Sequence, residues 1–192
     1  TDLANIEVSA VSPDYFLVQY NLTSQPTQNF LDVYSSNGRI EQATLSDTLT
    51  YVNPPANRSS IVVIDEVDVT NSFIWGSSTL KVPPAGLTQG STYQILGNPD
   101  VRNDFGTANA LSPGYQVVLE TLDGDFQPTR FYIVSENGWQ GPFETEVGIG
   151  LSPDASIQLG ETVFHYLYQR FEDNVWVYNS YSLITGDLVN TY

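Results

Sequence analysis

An Asn-Gly pair between two runs of aromatic and β-branched residues admits few backbones. Both residues tolerate positive φ, so the pair closes a tight hairpin whose twist matches its strands. This chain has two such pairs. Asn37-Gly38 lies between runs at 30–36 and 39–45, and Asn137-Gly138 between runs at 130–135 and 139–150. Asp123-Gly124 closes a third run, 115–122. No segment carries a 3.6-residue amphipathic period beyond two turns, so helices have no claim on the chain.

The densest strand signal is the stretch 161–192. In an extended strand Phe164, Tyr166, Tyr168 and Arg170 share one face, and Val163, His165, Leu167 and Gln169 the other. Both faces are partly apolar, which places this hairpin centrally in a sheet, with Phe164, His165, Tyr166 and Trp176 packed inside. Further strands are expected at 4–22 (around Ser12-Pro13-Asp14), 48–52, 61–69, 72–75 and 91–96. The stretch 151–160 reads as loop. About ten short strands separated by turn residues define an all-β chain. An antiparallel β-sandwich or a Greek-key or jelly-roll-like barrel with long surface loops is the natural closure. No internal repeat of the propeller or solenoid kind is expected. The expectation is one domain, 1–192, with a Pro- and Gly-rich excursion at 82–112; the alternative is a division near 112.

Charge then narrows the partners. Six Lys and Arg face 22 Asp and Glu, a net charge of −16. Phosphate backbones and anionic membranes are repelled by such a surface, so nucleic acid is excluded. No apolar run reaches the length of a membrane-spanning helix, so no membrane insertion is expected. The chain opens on Thr1 and contains no Met, which reads as a processed product or a domain cut from something longer. There is no Cys, which removes disulfides, thiolate metal sites and thiol nucleophiles.

Catalytic constellations are scarce. The single histidine, His165, lies mid-strand and reads as a packed or hydrogen-bonded structural residue. Glu66 and Asp68 would share a strand face, and the run from Glu66 to Asn71 resembles the Glu-x-Asp-x-x-Glu strand of laminarinase-like glycosidases. That resemblance implies two glutamates as nucleophile and acid, but Asn71 stands where the proton donor belongs. Hydrolysis by paired carboxylates therefore lacks a partner, and an acidic solvent-facing strand side is the plainer reading. The oxygen-rich stretches 98–104 and 123–125 lack EF-hand spacing. No enzyme activity, cofactor or metal ion is expected. Asn21-Leu22-Thr23 and Asn57-Arg58-Ser59 match the glycosylation acceptor pattern.

Recognition remains. Three Trp, twelve Tyr and nine Phe are available, with Trp75, Trp139 and Tyr181 near turns. Aromatic faces with Asn, Asp and Gln in loops serve both sugar and protein recognition. Trp139, at an expected loop tip with Asn137 and Gln140, is the leading candidate, joined by Asn98, Asp100, Asn103 and Asp104 in the excursion.

The segment Ser46-Asp47-Thr48-Leu49-Thr50-Tyr51-Val52-Asn53 is similar to a strand-and-turn stretch of protruding (spike) domains in hepatitis E-like and astrovirus-like capsids. The resemblance implies a homo-oligomeric projection, dimer or trimer, on the virion surface, engaging host receptor and antibodies. A lectin-like carbohydrate-binding module is the alternative, and an extracellular filament subunit a third.

Overall fold

The computed structural model describes residues 2–12, 15–45, 49–52, 60–76, 79–82, 84–96, 115–125, 128–135, 138–145, 156–170 and 173–192. The chain is all-β: the described residues form sixteen strands and one turn of 3-10 helix, Val69–Asn71. No described helix is long and apolar enough to cross a membrane. Two compact units divide it, Thr1–Gly90 and Ser91–Tyr192.

In the first unit, β1 (Leu3–Ser12), β2 (Tyr15–Leu22), β3 (Gln25–Ser35) and β4 (Gly38–Leu45) form one sheet in chain order. A second sheet contains β5 (Leu49–Val52), β6 (Ser60–Asp65), β7 (Phe73–Gly76) and β8 (Thr79–Val82), again in order. The second unit repeats the plan. It has β9 (Thr92–Leu96), β10 (Gln116–Thr121), β11 (Arg130–Ser135) and β12 (Gly138–Glu144) in one sheet, and β13 (Ser156–Leu159), β14 (Val163–Gln169), β15 (Trp176–Ser182) and β16 (Leu188–Thr191) in the other. Every sheet is an antiparallel meander, so the described strands contain no Greek-key crossover.

The second unit is a two-sheet sandwich. Alternate residues of β10 and β11, Val117, Leu119, Phe131 and Ile133, meet Phe164, Tyr166, Tyr168 and Tyr181 of β14 and β15 in one buried cluster. The Phe131 ring lies 5.3 Å from Phe164 and 5.1 Å from Tyr181, within the tilted-ring range that adds to simple burial. The expected faces of β14 are observed: its residues alternate half-buried and buried from Val163 to Gln169. β14 and β15 are the central pair of their sheet, as expected.

Three expectations are corrected. The strand expected over 61–69 stops at Asp65, whose buried carboxylate accepts the N–H groups of Val67 and Asp68 and the amide of Asn71. That Asx-type turn pulls the chain out of the sheet. The loop expected over 151–160 contains β13, whose four residues pair with β14. Trp176, expected inside, is exposed.

A repeat of another kind than a propeller or solenoid is present. The register of β2 with β3 (Phe16↔Tyr34, Leu17↔Val33, Val18↔Asp32, Gln19↔Leu31, Tyr20↔Phe30) recurs 100 residues later in β10 with β11 (Gln116↔Val134, Val117↔Ile133, Val118↔Tyr132, Leu119↔Phe131, Glu120↔Arg130). The β3–β4 pairs Ser35↔Gly38, Tyr34↔Arg39, Leu31↔Ala43 and Phe30↔Thr44 likewise become Ser135↔Gly138, Val134↔Trp139, Phe131↔Phe143 and Arg130↔Glu144. The sequence carries the same echo. Ser12-Pro13-Asp14-Tyr15 answers Ser112-Pro113-Gly114-Tyr115, and Gln25-Pro26-Thr27 answers Gln127-Pro128-Thr129. One four-stranded unit therefore occurs twice.

Candidate functional site

In the first copy of the repeat, strand alternation sends Leu17, Leu31 and Val33 inward and turns Phe16, Tyr20, Phe30, Asp32 and Tyr34 to the opposite face. Two stacked ring pairs stand there, Phe16 on Tyr34 at 5.1 Å and Tyr20 on Phe30 at 5.4 Å. Asp32 lies between them, with only 3% of its surface exposed. Its Oδ2 accepts from the hydroxyls of Tyr20 (3.5 Å) and Tyr34 (3.3 Å) and from Arg39 Nη1 (3.4 Å). All three are long hydrogen bonds. Asp32 Oδ1 is buried and has no partner. A carboxylate oxygen in that state forgoes stabilisation of about 1–3 kcal/mol, which an added donor would supply.

The rim is polar and open. Arg39 is half exposed, and Gln42 Nε2 donates to the Tyr20 hydroxyl at 3.1 Å. Burial, then the Asp32 charge, raises the pKa of Tyr34, so it stays a neutral donor. Asp32 is the one carboxylate among the described side chains of this face, which leaves no second carboxyl for glycosidic bond cleavage. The arrangement can hold a ligand rich in hydroxyls: an acceptor at its centre, donors from Arg39 and Gln42, and apolar ring faces on both sides.

The second copy has turned the same positions into structure. Glu120 stands where Tyr20 does, and Tyr132 where Asp32 does, so the carboxylate and the phenol have exchanged strands. Glu120 is fully buried, and each oxygen accepts a phenol at 2.8 Å, from Tyr93 and Tyr132. Arg130 lies 3.9 Å away and bonds Glu144 at 3.0 Å. Burial and the Glu120 bond push the Tyr132 hydroxyl pKa far upward. Both carboxylate oxygens are satisfied, as a buried charge requires.

Of the residues singled out in the sequence, Trp139 lies on β12, half-buried and stacked on Tyr132 at 4.6 Å. It does not occupy a loop tip, because the hairpin carries it into the strand opposite Val134. Gln140 follows it, opposite Ile133, so the two side chains take opposite faces and cannot join in one site. Asn137, Asn98, Asp100, Asn103 and Asp104 lie outside the described residues, as do Asn57 and the side chain of Trp75. Trp139 holds the register position that Arg39 holds in the first copy. The echo of Ser-Pro-x-Tyr and Gln-Pro-Thr is the signal that would have led to Asp32.

Other motifs resolve into structure. Glu66 and Asp68 lie past the end of β6, and Asp68 caps the 3-10 turn by accepting from Thr70, so the glycosidase-like strand is not formed. Asp125 accepts from Thr129 in its turn, and no described group of side chains could hold a metal ion. The Asn21 amide is buried and donates to Gln28 O at 2.7 Å and Asn29 Oδ1 at 3.0 Å, so glycosylation there would break the folded contacts.

His165 is half-buried on the outer face of β14. Its Nδ1 lies 2.7 Å from the Tyr178 hydroxyl and 3.0 Å from Ser180 Oγ. No protein family model matches the chain, and no curated protein is significantly similar to it.

Proposed function

We propose that this is a non-enzymatic recognition protein, and that the face of the β1–β4 sheet around Asp32 binds carbohydrate. The observation that carries the reading is the buried Asp32 carboxylate between two stacked aromatic pairs, one oxygen shared by three long bonds and the other unpartnered. Sugar hydroxyls both donate and accept, and the apolar face of a sugar ring packs on aromatic rings, which matches this mix of groups. Such a protein acts where glycans are displayed, outside the cell or on its surface.

A capsid protrusion, the class resembled by 46–53, would also present a recognition face. The repeated meander and the Asp32 face favour the carbohydrate reading. Within it, the protein need not self-associate, whereas a protrusion forms a discrete dimer or trimer that light scattering would register.

The test is a glycan array followed by calorimetry on the best ligand, with wild type and Asp32→Asn. A hydrogen bond to a charged group contributes about 1.5–3 kcal/mol, so Asp32→Asn should weaken binding roughly 10- to 100-fold while the circular dichroism spectrum is kept. Equal affinity in the variant, or no glycan bound by the wild type, removes the reading.

A further inference from the structure

The outer face of the β13–β16 sheet carries a feature that the Asp32 site does not explain. Its register sets one polar row across four strands: Gln158↔His165, His165↔Ser180 and Ser180↔Asn190. The next row outward is apolar and aromatic. Leu167 pairs with Tyr178, and Tyr192 joins that rung through backbone bonds to Tyr178 in both directions. The Tyr178 and Tyr192 rings are 6.2 Å apart, and Tyr178 stacks on His165 at 5.3 Å. One step further, Trp176 pairs with Gln169.

This surface is open: Trp176 is 46% exposed and Tyr192 76%. Large aromatic rings at such exposure are common at binding faces. None of these side chains carries a permanent charge, although the chain as a whole is at −16. An uncharged face on a strongly acidic protein suits a neutral partner and offers nothing to an ionic one. Neighbouring strands lie about 4.8 Å apart, so the rung from Leu167 to Tyr192 covers about 10 Å, more than one sugar ring.

We infer that this face is a second carbohydrate-binding surface, taking an uncharged, extended glycan whose rings lie along Tyr178, Tyr192 and Trp176 while their hydroxyls meet Gln158, His165 and Asn190. It depends on the carbohydrate reading only for its ligand class and uses none of the residues around Asp32. The Tyr178 and Ser180 hydroxyls, both directed at His165 Nδ1, hold that ring upright beside the aromatic row.

The test is affinity electrophoresis of the full chain through native gels containing soluble β-glucan, xylan, galactomannan or, as the anionic comparison, polygalacturonate. At least one neutral polysaccharide should retard the wild type, and polygalacturonate should not. Trp176→Ala and Tyr192→Ala should each raise the dissociation constant about tenfold. Tyr192 is exposed, so its variant keeps the test valid should Trp176→Ala fold poorly. Ile184→Ser, on the exposed turn after β15, should bind as wild type does.

Asp32→Asn run alongside separates the two sites. Loss of retardation in the Trp176 and Tyr192 variants supports this surface whatever Asp32→Asn does. Retardation lost in Asp32→Asn but kept in both aromatic variants overturns it and leaves the Asp32 site standing. Absence of retardation by every neutral polysaccharide also overturns it. So does a dimer in light scattering that Trp176→Ala dissolves without any change in polysaccharide binding, since a second copy would then occupy the face.

Discussion

His165 shows what a single residue's neighbours decide. The hydroxyls of Tyr178 and Ser180 converge on Nδ1. Burial lowers the His165 pKa below its ordinary value of about 6.5. The folded state therefore binds fewer protons than the unfolded chain between those two values. His165 contributes its full stability above about pH 6.5, and that contribution is lost as pH falls from there toward the folded pKa. As the chain's only histidine, it gives one imidazole C2–H resonance in a proton NMR titration. Its midpoint should lie below 6.5, and the melting temperature should fall more steeply between pH 7.5 and 5.5 in wild type than in His165→Gln. A midpoint at or above 6.5 would contradict this account. Mid-strand placement made the structural role of His165 legible from sequence. Its face was not, because β14 and β15 carry aromatic side chains on both sides and alternation alone does not say which side meets the core. The same ambiguity put Trp176 inside when it lies outside.

At the level of elements, turn chemistry was the most readable part of the chain. Gly38 and Gly138, with φ of 113° and 102°, open β4 and β12 opposite Ser35 and Ser135, where the Asn-Gly pairs predicted the hairpins. What side chains do to the backbone was harder to see: the Asp65 carboxylate ends β6 four residues early by capturing N–H groups beyond it. The two copies of the repeat are out of step in the sequence. The Gln-Pro-Thr triplets are 102 residues apart where the flanking strands are 100 apart. Asp32 was hidden with it, since a lone Asp in a strand gives no signal until its equivalent is known.

Gly186, in the turn between β15 and β16, joins turn chemistry to sandwich packing. It has φ of 79°, and an added Cβ would run into the ring of Phe143 on β12. Gly186→Ala should cost about 2–5 kcal/mol, combining roughly 1–2 for the left-handed backbone with 1–3 for overpacking. Gly138→Ala meets no neighbouring atom and should show only the backbone part. Urea denaturation of the two variants measures the difference. Equal losses would mean that Phe143 moves aside freely.

For the whole molecule, net charge is the dominant property. The described arginines are already engaged: Arg39 with Asp32, Arg130 with Glu120 and Glu144, Arg170 with Asp173. Few positive groups are left to offset the remaining carboxylates of a chain with 22 acidic residues and six basic ones. Like charges held together in the folded state repel more than in the expanded chain, so folding works against this field. Salt shortens its reach, from a Debye length of about 30 Å at 0.01 M to about 8 Å at 0.15 M. The paired arginine side chains are 29–50% exposed, and pairs so open to water are weakened only in part by salt. The repulsive term should therefore win, and stability should rise with salt. Between 10 and 150 mM sodium chloride at pH 7.5 the gain should be about 1 kcal/mol, a melting temperature higher by roughly 2–4 °C for a chain of this length. Scanning calorimetry at the two salt concentrations measures it. A melting temperature that falls would mean that the arginine pairs outweigh the repulsion. Binding of an uncharged glycan should be indifferent to the same change in salt, since no charge on the ligand is screened.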